Sequence, residues 1–348
     1  MAVLFTPEPI EGIDWNKLES SLMNASAHIE THYNTESCQW SVPALLVDAD
    51  AQIQDPGPAL NYDQQDFDGV KVYRNPNGEI HIFRPDFHAT CFQQSCIAHS
   101  IDPMSQEHFI RCVELAVSRN AEYVPPHESE ALLYIQPIRR ANESHNMLGN
   151  RPSHSFIFCA HLIPESISND SQPLTALVVD ELDKATPRER SYHQAAVTGY
   201  DLALYFDSET HTVIKGFSSA AFIGIMGGGE NKPVRVIGSD SCRDRQNVTR
   251  ESCMAIAQSL GWITEKQRIH SAMLSEFSEV VAAGAREGLI PVKSVTRLHD
   301  SSRVQVTYGA TDDGTASPAA MELCQRLKDI QKGKVPNEFG WCHKLRIL

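Results

Sequence analysis

Residues 199–225 read GYDLALYFDSETHTVIKGFSSAAFIGI, and their reading decides the fold. DLALYFD (201–207) and HTVIKGFSSAAFIGIM (211–226) are rich in β-branched and aromatic residues and read as strands. Gly199 stops a helix that Thr186-Pro187-Arg188-Glu189 opens with capping-box spacing and Pro at the first helical position. Before that helix, TALVVDEL (175–182) reads as a buried strand.

Downstream, residues 249–260 form a helix ended by Gly261, and Val280 to Ala283 form a short strand. Ser317-Pro318 opens a last helix with Ala320, Leu323, Leu327 and Ile330 facing the core, and Gly333 closes it. Upstream, residues 1–40 read as a loosely docked arm. SVPALLVDAD (41–50) carries strand signals, and in GVKVYRNPNGEIHIFRP the run Asn75-Pro76-Asn77-Gly78 turns a hairpin. Ser105 caps a helix over 105–119, and ALLYIQPI and SFIFCAHLI follow as strands. PESISNDSQP (164–173) has the composition of a linker. The division expected is a small α/β domain over 1–165, a linker over 166–173 and a larger α/β domain over 174–348.

Composition narrows the function. The 348 residues are 41% apolar and 21% charged, with a net charge of −14. That balance argues against nucleic acid or an anionic membrane as partner, since both need a basic face. No run of eighteen apolar residues and no signal peptide is seen. Nine cysteines without a CxxC pair read as reduced thiols in a cytoplasmic protein. Cys91 or Cys96 would need a base such as His88 to act as a nucleophile, and buried structural thiols are the commoner case. His28-Ile29-Glu30-Thr31-His32 lacks the spacing of a zinc helix, so no metal is expected.

Seven segments, taken in order over residues 58–345, resemble the branched-chain aminotransferases, the fold-type IV pyridoxal-phosphate enzymes. LNYDQQDFDGVKVY, HIFRPDF and YVPP with LLYIQP are similar to the family's N-terminal motifs. The stretch 199–225 resembles the strands that carry the cofactor's acidic partner. NVTRESCMAIAQSLGW resembles the phosphate-cup helix, EVVAAGAREGLIPV the second phosphate loop, and LKDIQKGKVPNEFGW the closing helix and tail. The resemblance implies an α/β (α+β) protein with a small N-terminal domain, a larger barrel-like C-terminal domain, and homodimeric assembly.

It also implies residues that this chain replaces. An ungapped count back from Gly199 puts Asp180 at the lysine that forms the Schiff base, with Lys184 four residues on. Lys215 stands at the ring acid, where a cation would repel a protonated ring. His88-Ala89-Thr90-Cys91 replaces the phosphate arginine, Gln136 the substrate arginine, and Ala285 followed by Arg286 the small hydroxyl residue. Tyr62, Phe67 and Tyr134 match aromatic positions of the family's pocket wall.

The expectation drawn from these departures is a cofactor-independent enzyme of specialised metabolism. It would cyclise, isomerise, add to or eliminate from an organic substrate in the old cofactor cavity. Lys215, Tyr134, Tyr62 and Arg286 are the expected catalytic residues, and Phe67, Gln136, Asn247 and Thr249 the expected substrate-binding residues. The alternatives are an inactive pseudo-aminotransferase with a binding role, and a residual pyridoxal-phosphate aminotransferase using Lys184.

Overall fold

The computed structural model describes residues 6–15, 17–18, 23–24, 27–46, 68–98, 101–141, 154–164, 173–180, 195–227, 233–240, 247–285, 288–299, 302–308 and 318–346. The chain forms two compact units: Met1–Glu165 with Asp329–Leu348, and Ser166–Lys328.

The first unit is built on an antiparallel sheet. Its strands are β1 (Met23–Asn24), β2 (His28–Asn34), β3 (Gln39–Trp40), β4 (Ala44–Leu46), β5 (Val70–Arg74), β6 (Ile80–Phe83), β7 (Ala131–Ala141) and β8 (His154–Pro164). The spatial order is β6-β5-β7-β8-β2-β3, with β1 on β8 and β4 on β2. Two helices, α1 (Pro85–Ala98) and α2 (Gln106–Arg119), supply the rest of its core. Val70, Val72, Leu133, Ile135, Phe158 and Ala160 form one apolar cluster with Ala89, Phe92, Phe109 and Val113 of the helices. Phe92 lies 4.9 Å from Phe109 and 4.7 Å from Phe156, ring to ring. Burying a ring of this kind contributes about 2–3 kcal/mol.

Local chemistry fixes the elements. Gly78 takes φ +77° in the hairpin turn, and Asn75 Oδ1 accepts the amides of Asn77 and Glu79. Ser105 Oγ accepts the His108 amide at 3.1 Å and so caps α2.

The second unit holds β9 (Leu174–Asp180), β10 (Leu202–Phe206), β11 (Ile214–Phe217), β12 (Ala220–Met226), β13 (Arg235–Ser239), β14 (Ile263–Gln267), β15 (Glu279–Gly284), β16 (Gly288–His299) and β17 (Ser302–Thr307). They make a mixed sheet in the order β11-β10-β9-β16-β15-β12-β13-β14, with β17 on β16. β9 runs parallel to β10 and β16, and β13 runs parallel to β14. Phe206, Phe217, Phe222 and Phe277 anchor its core. Gly224 is demanded there, because a Cβ would stand 2.3 Å from the Phe277 ring. Helix α3 (Val248–Ser259) lies against β13, β14 and β15. Helix α4 (Pro318–Gln331) buries Ala320, Leu323, Leu327 and Ile330, and Gly333 follows it at φ +64°.

Two expectations need correction. The arm over residues 1–40 contains β2, which pairs with β8, β3 and β4 inside the sheet. Its alternate residues Ile29, Thr31 and Tyr33 are buried, and buried Glu30 accepts the Ser155 hydroxyl at 3.0 Å. The second domain does not run to residue 348. After α4 the chain returns to the first unit, where β18 (Cys342–Lys344) pairs with β6 and Lys332 donates to the Ser129 carbonyl at 2.7 Å. The proposed helix over 186–199 lies mostly outside the described residues; Ala195 to Val197 are helical and Gly199 takes φ +81°.

Candidate functional site

The start of α3 is the most completely built polar feature of the second unit. Asn247 caps the helix: its Oδ1 accepts the Arg250 amide at 2.7 Å and its Nδ2 donates to the Ala283 carbonyl at 2.9 Å. The Thr249 hydroxyl donates to the Gly284 carbonyl at 2.8 Å. Both side chains therefore fasten the helix start to the end of β15. The amides of Val248 and Thr249 find no acceptor among the described residues. They sit at the positive end of a twelve-residue helix, which is chemistry suited to an anion.

Arg250, one residue on, is only 1% exposed. Its guanidinium donates to the Ser239 carbonyl through Nη1 and to Glu251 Oε1 at 2.7 Å through Nη2. Lys266 Nζ meets the other Glu251 oxygen at 2.7 Å. Burial works against the Glu251 carboxylate, but its bonds to Lys266 and Arg250 outweigh burial and hold it below the usual range.

Lys215 lies one residue from this network, since the Ser239 hydroxyl donates to the Ile214 carbonyl at 3.4 Å. Gly216 pairs with Tyr205 and Ile214 with Phe206, which leaves Lys215 as the extra residue of a β-bulge, half-buried. The preceding turn is rigid. Asp207 accepts the amides of Thr210, Thr212 and Val213 at 2.8, 3.0 and 2.7 Å, and the Thr210 hydroxyl as well. Burial opposes the Asp207 charge, yet these donors pull the carboxyl well below its ordinary value.

In the first unit, Lys71 pairs with Tyr134 and Tyr134 with His161. Directly paired residues share a face. Lys71, Tyr134 and His161 are all buried, and Gln136, half-buried, and Cys159 form the next pair on the same face. The Tyr134 hydroxyl accepts the Gly69 amide at 2.8 Å, and a Cβ on Gly69 would stand 2.4 Å from the Tyr134 ring. His88, on α1, is buried with no partner for Nε2. Burial, followed by the charges of Arg84 and Lys71, pushes its pKa down to about 3.

The structure therefore brings Asn247 and Thr249 together at the start of α3, and Tyr134 and Gln136 together on β7. Tyr62, Phe67, Arg286 and Lys184 lie outside the described residues. Sequence reasoning missed Lys71, His161 and Arg250. Lys71 could have been found by extending the alternation of VKVY to the polar face; Arg250 sits in a helix whose burial only the tertiary structure gives. No group of three or more metal-binding side chains occurs among the described residues, and no helix there is long and apolar enough to cross a membrane.

No family model matches the chain. It is 37% identical to aminotransferase poxL of Penicillium oxalicum, over 97% of this chain and 94% of that one. Transaminase htyB of Aspergillus rugulosus is 33% identical over 99% and 96%. The branched-chain amino acid aminotransferase gloG of Glarea lozoyensis is 31% identical over 97% of each. Among solved structures, the branched-chain amino acid aminotransferase of Thermobaculum terrenum in its PLP form matches with a TM-score of 0.67. That match has 17% identity and covers 93% of this chain and 99% of that one. The branched-chain aminotransferase of Thermoproteus uzoniensis with norvaline gives 0.63 at 18% identity over 87% and 97%.

These relatives overturn the expected cofactor-independent cyclase, isomerase or lyase, because they are named aminotransferases and align along nearly the whole chain. An ungapped count back from Gly199 holds only if this chain and its relatives have equal spacing there. The alignment with htyB runs over 369 positions against 348 residues here, so gaps open in this chain. Asp180, the last residue of β9, therefore does not fix the position of the lysine. The two-unit α/β (α+β) architecture matches the fold-type IV structures. The chain belongs to the aminotransferase family of these fungal enzymes and has the fold of the branched-chain amino acid aminotransferases.

Proposed function

We propose that the chain is a pyridoxal-phosphate-dependent aminotransferase that moves the amino group of a small amino acid to a 2-oxo acid. The observation that carries this reading is the 37% identity to poxL along 97% of the chain. The start of α3 supports it, because its residues fit a phosphate ester. Two amides there lack acceptors among the described residues, the helix dipole favours negative charge, and Asn247 and Thr249 hold the helix end in place. When bound, the cofactor would supply the aldehyde and the electron sink that no side chain offers. The second unit's own contribution is to hold the phosphate at the start of α3.

Lys184, four residues beyond the end of β9, is the lysine we assign to the cofactor's aldehyde. Borohydride reduction of the purified protein with pyridoxal phosphate, followed by peptide mass analysis, tests it. A phosphopyridoxyl group on Lys184 is expected, and a label on another lysine overturns that assignment.

Gln136 and the segment His88-Ala89-Thr90-Cys91 favour a second reading, an inactive pseudo-aminotransferase with a binding role. They stand where the resemblance implies the substrate and phosphate arginines. That reading predicts no phosphopyridoxyl lysine after reduction and no 2-oxo acid product. The cytoplasmic homodimer belongs to the same proposal; light scattering should give twice 38.7 kDa.

A further inference from the structure

We propose that Arg250, Glu251 and Lys266 act as one net-positive unit that sets the phosphate affinity of the α3 start from behind, without touching the phosphate. The proposal rests on the cofactor reading above and adds residues to it. Two positive side chains and one negative one are joined in line by contacts of 2.7 Å. The unit therefore places one surplus positive charge beside the first turn of α3.

Burial makes that surplus count. The side chains of Arg250, Glu251 and Lys266 are 2%, 19% and 47% exposed. The guanidinium sits where screening is weak, and the exposed lysine completes the line to solvent. Arg250 Nε has no acceptor among the described residues, so the guanidinium keeps one donor unshared. The arrangement is also fixed. Asn247 holds the Arg250 amide, and Ser239 at the end of β13 takes Nη1. A Cβ on Gly238 would come within 3.4 Å of Arg250 Cδ, so β13 passes close beside the side chain. Neither Nη atom needs to leave its partner for the charge to act on an anion at the neighbouring amides.

Two roles can then be separated. If Arg250 and Glu251 only bolt the helix to the sheet, removing either charge loosens the α3 start and weakens anion binding in every variant. If the net charge matters, removing the negative member strengthens binding. Glu251→Gln keeps an acceptor for Arg250 and raises the surplus by one charge. Lys266→Met, at a half-exposed position, lowers it by one and is safe for the fold.

The test is equilibrium binding of inorganic phosphate and of pyridoxal phosphate, with pyridoxal, which lacks the phosphate, as control. Glu251→Gln should bind phosphate about three- to tenfold tighter, and Lys266→Met weaker by a similar factor. Both differences should shrink with added salt, while pyridoxal affinity stays unchanged. Weaker or unchanged phosphate binding by Glu251→Gln overturns the proposal. If that variant does not fold, Lys266→Met decides alone: unchanged affinity, or a loss equal for pyridoxal, overturns it. Wild-type protein that binds neither phosphate nor pyridoxal phosphate removes the cofactor reading itself, and the proposal with it.

Discussion

Replacing His88 with leucine should remove a specific slice of the protein's acid sensitivity. The imidazole is 4% exposed and titrates near 3, against 6.5 for an unburied histidine. At pH 7.5 it is neutral in both folded and unfolded chains. Below 6.5 the unfolded chain takes up a proton there and the folded chain does not, so stability falls as pH falls. At pH 5.0 the gap from 6.5 is about 1.5 pH units, each worth about 1.4 kcal/mol, which gives about 2 kcal/mol. Since pH 5.0 lies well above the folded value, the unfolded chain alone sets this difference. Urea unfolding of wild type and His88→Leu at pH 7.5 and 5.0 measures it. Other titrating groups occur in both proteins and cancel in the comparison. Wild type should lose about 2 kcal/mol more than the variant on acidification. Parallel losses would refute the picture of a neutral imidazole buried beside Lys71 and Arg84.

Asp207→Asn removes the charge that gathers three amides and a hydroxyl before the Lys215 bulge, and should cost about 2–3 kcal/mol at pH 7 in urea unfolding. Its folded pKa is depressed, so its contribution is full above the ordinary carboxylate value and is lost only as pH falls through the depressed folded value; most of the difference between variant and wild type should therefore persist at pH 3. Gly69→Ala drives a methyl group into the Tyr134 ring and towards the Ile135 carbonyl, 2.9 Å from the new Cβ. A loss of about 2–4 kcal/mol is expected by calorimetry, with a raised KM for the amino acid if Tyr134 faces substrate. A chromogenic thiol reagent should modify exposed Cys38 in the native protein, while Cys96, Cys112, Cys159, Cys253, Cys324 and Cys342 wait for unfolding. Burial pushes the thiols of that group up, Cys96 to about 12.

Where the chain's local chemistry is self-sufficient, the sequence was readable. The Asn75 to Gly78 turn, the Ser105 cap and the four apolar positions of α4 each lie within one element and follow from turn residues or helical period. Features that depend on distant partners were not readable. HIETHYN looks polar until Glu30 meets Ser155 and Thr31 is covered, so β2 passed for an arm. β18 is a strand only because β6 offers it an edge. The site divides in the same way. Asn247 and Thr249 were singled out only because NVTRESCMAIAQSLGW resembles the phosphate-cup helix; that they fasten the start of α3 to β15 is a finding of the structure. Arg250 was not, because nothing in NVTRESC says that its guanidinium is buried against β13. Lys215 fell on a strand as expected, but the bulge that aims it is a register shift that no single strand sequence contains. The lysine position was not fixed for a further reason: counting residues assumes equal lengths, and the alignment with a relative opens gaps in this chain.

The most direct test of the aminotransferase reading is a single-turnover reaction. The purified chain is loaded with pyridoxal phosphate, freed of excess, and mixed with a panel of L-amino acids, branched-chain ones included. The account predicts one 2-oxo acid per loaded chain from at least one of them. It also predicts that the amino group is recovered when a second 2-oxo acid is added. Stoichiometric cofactor binding with no 2-oxo acid from any member of the panel would contradict it.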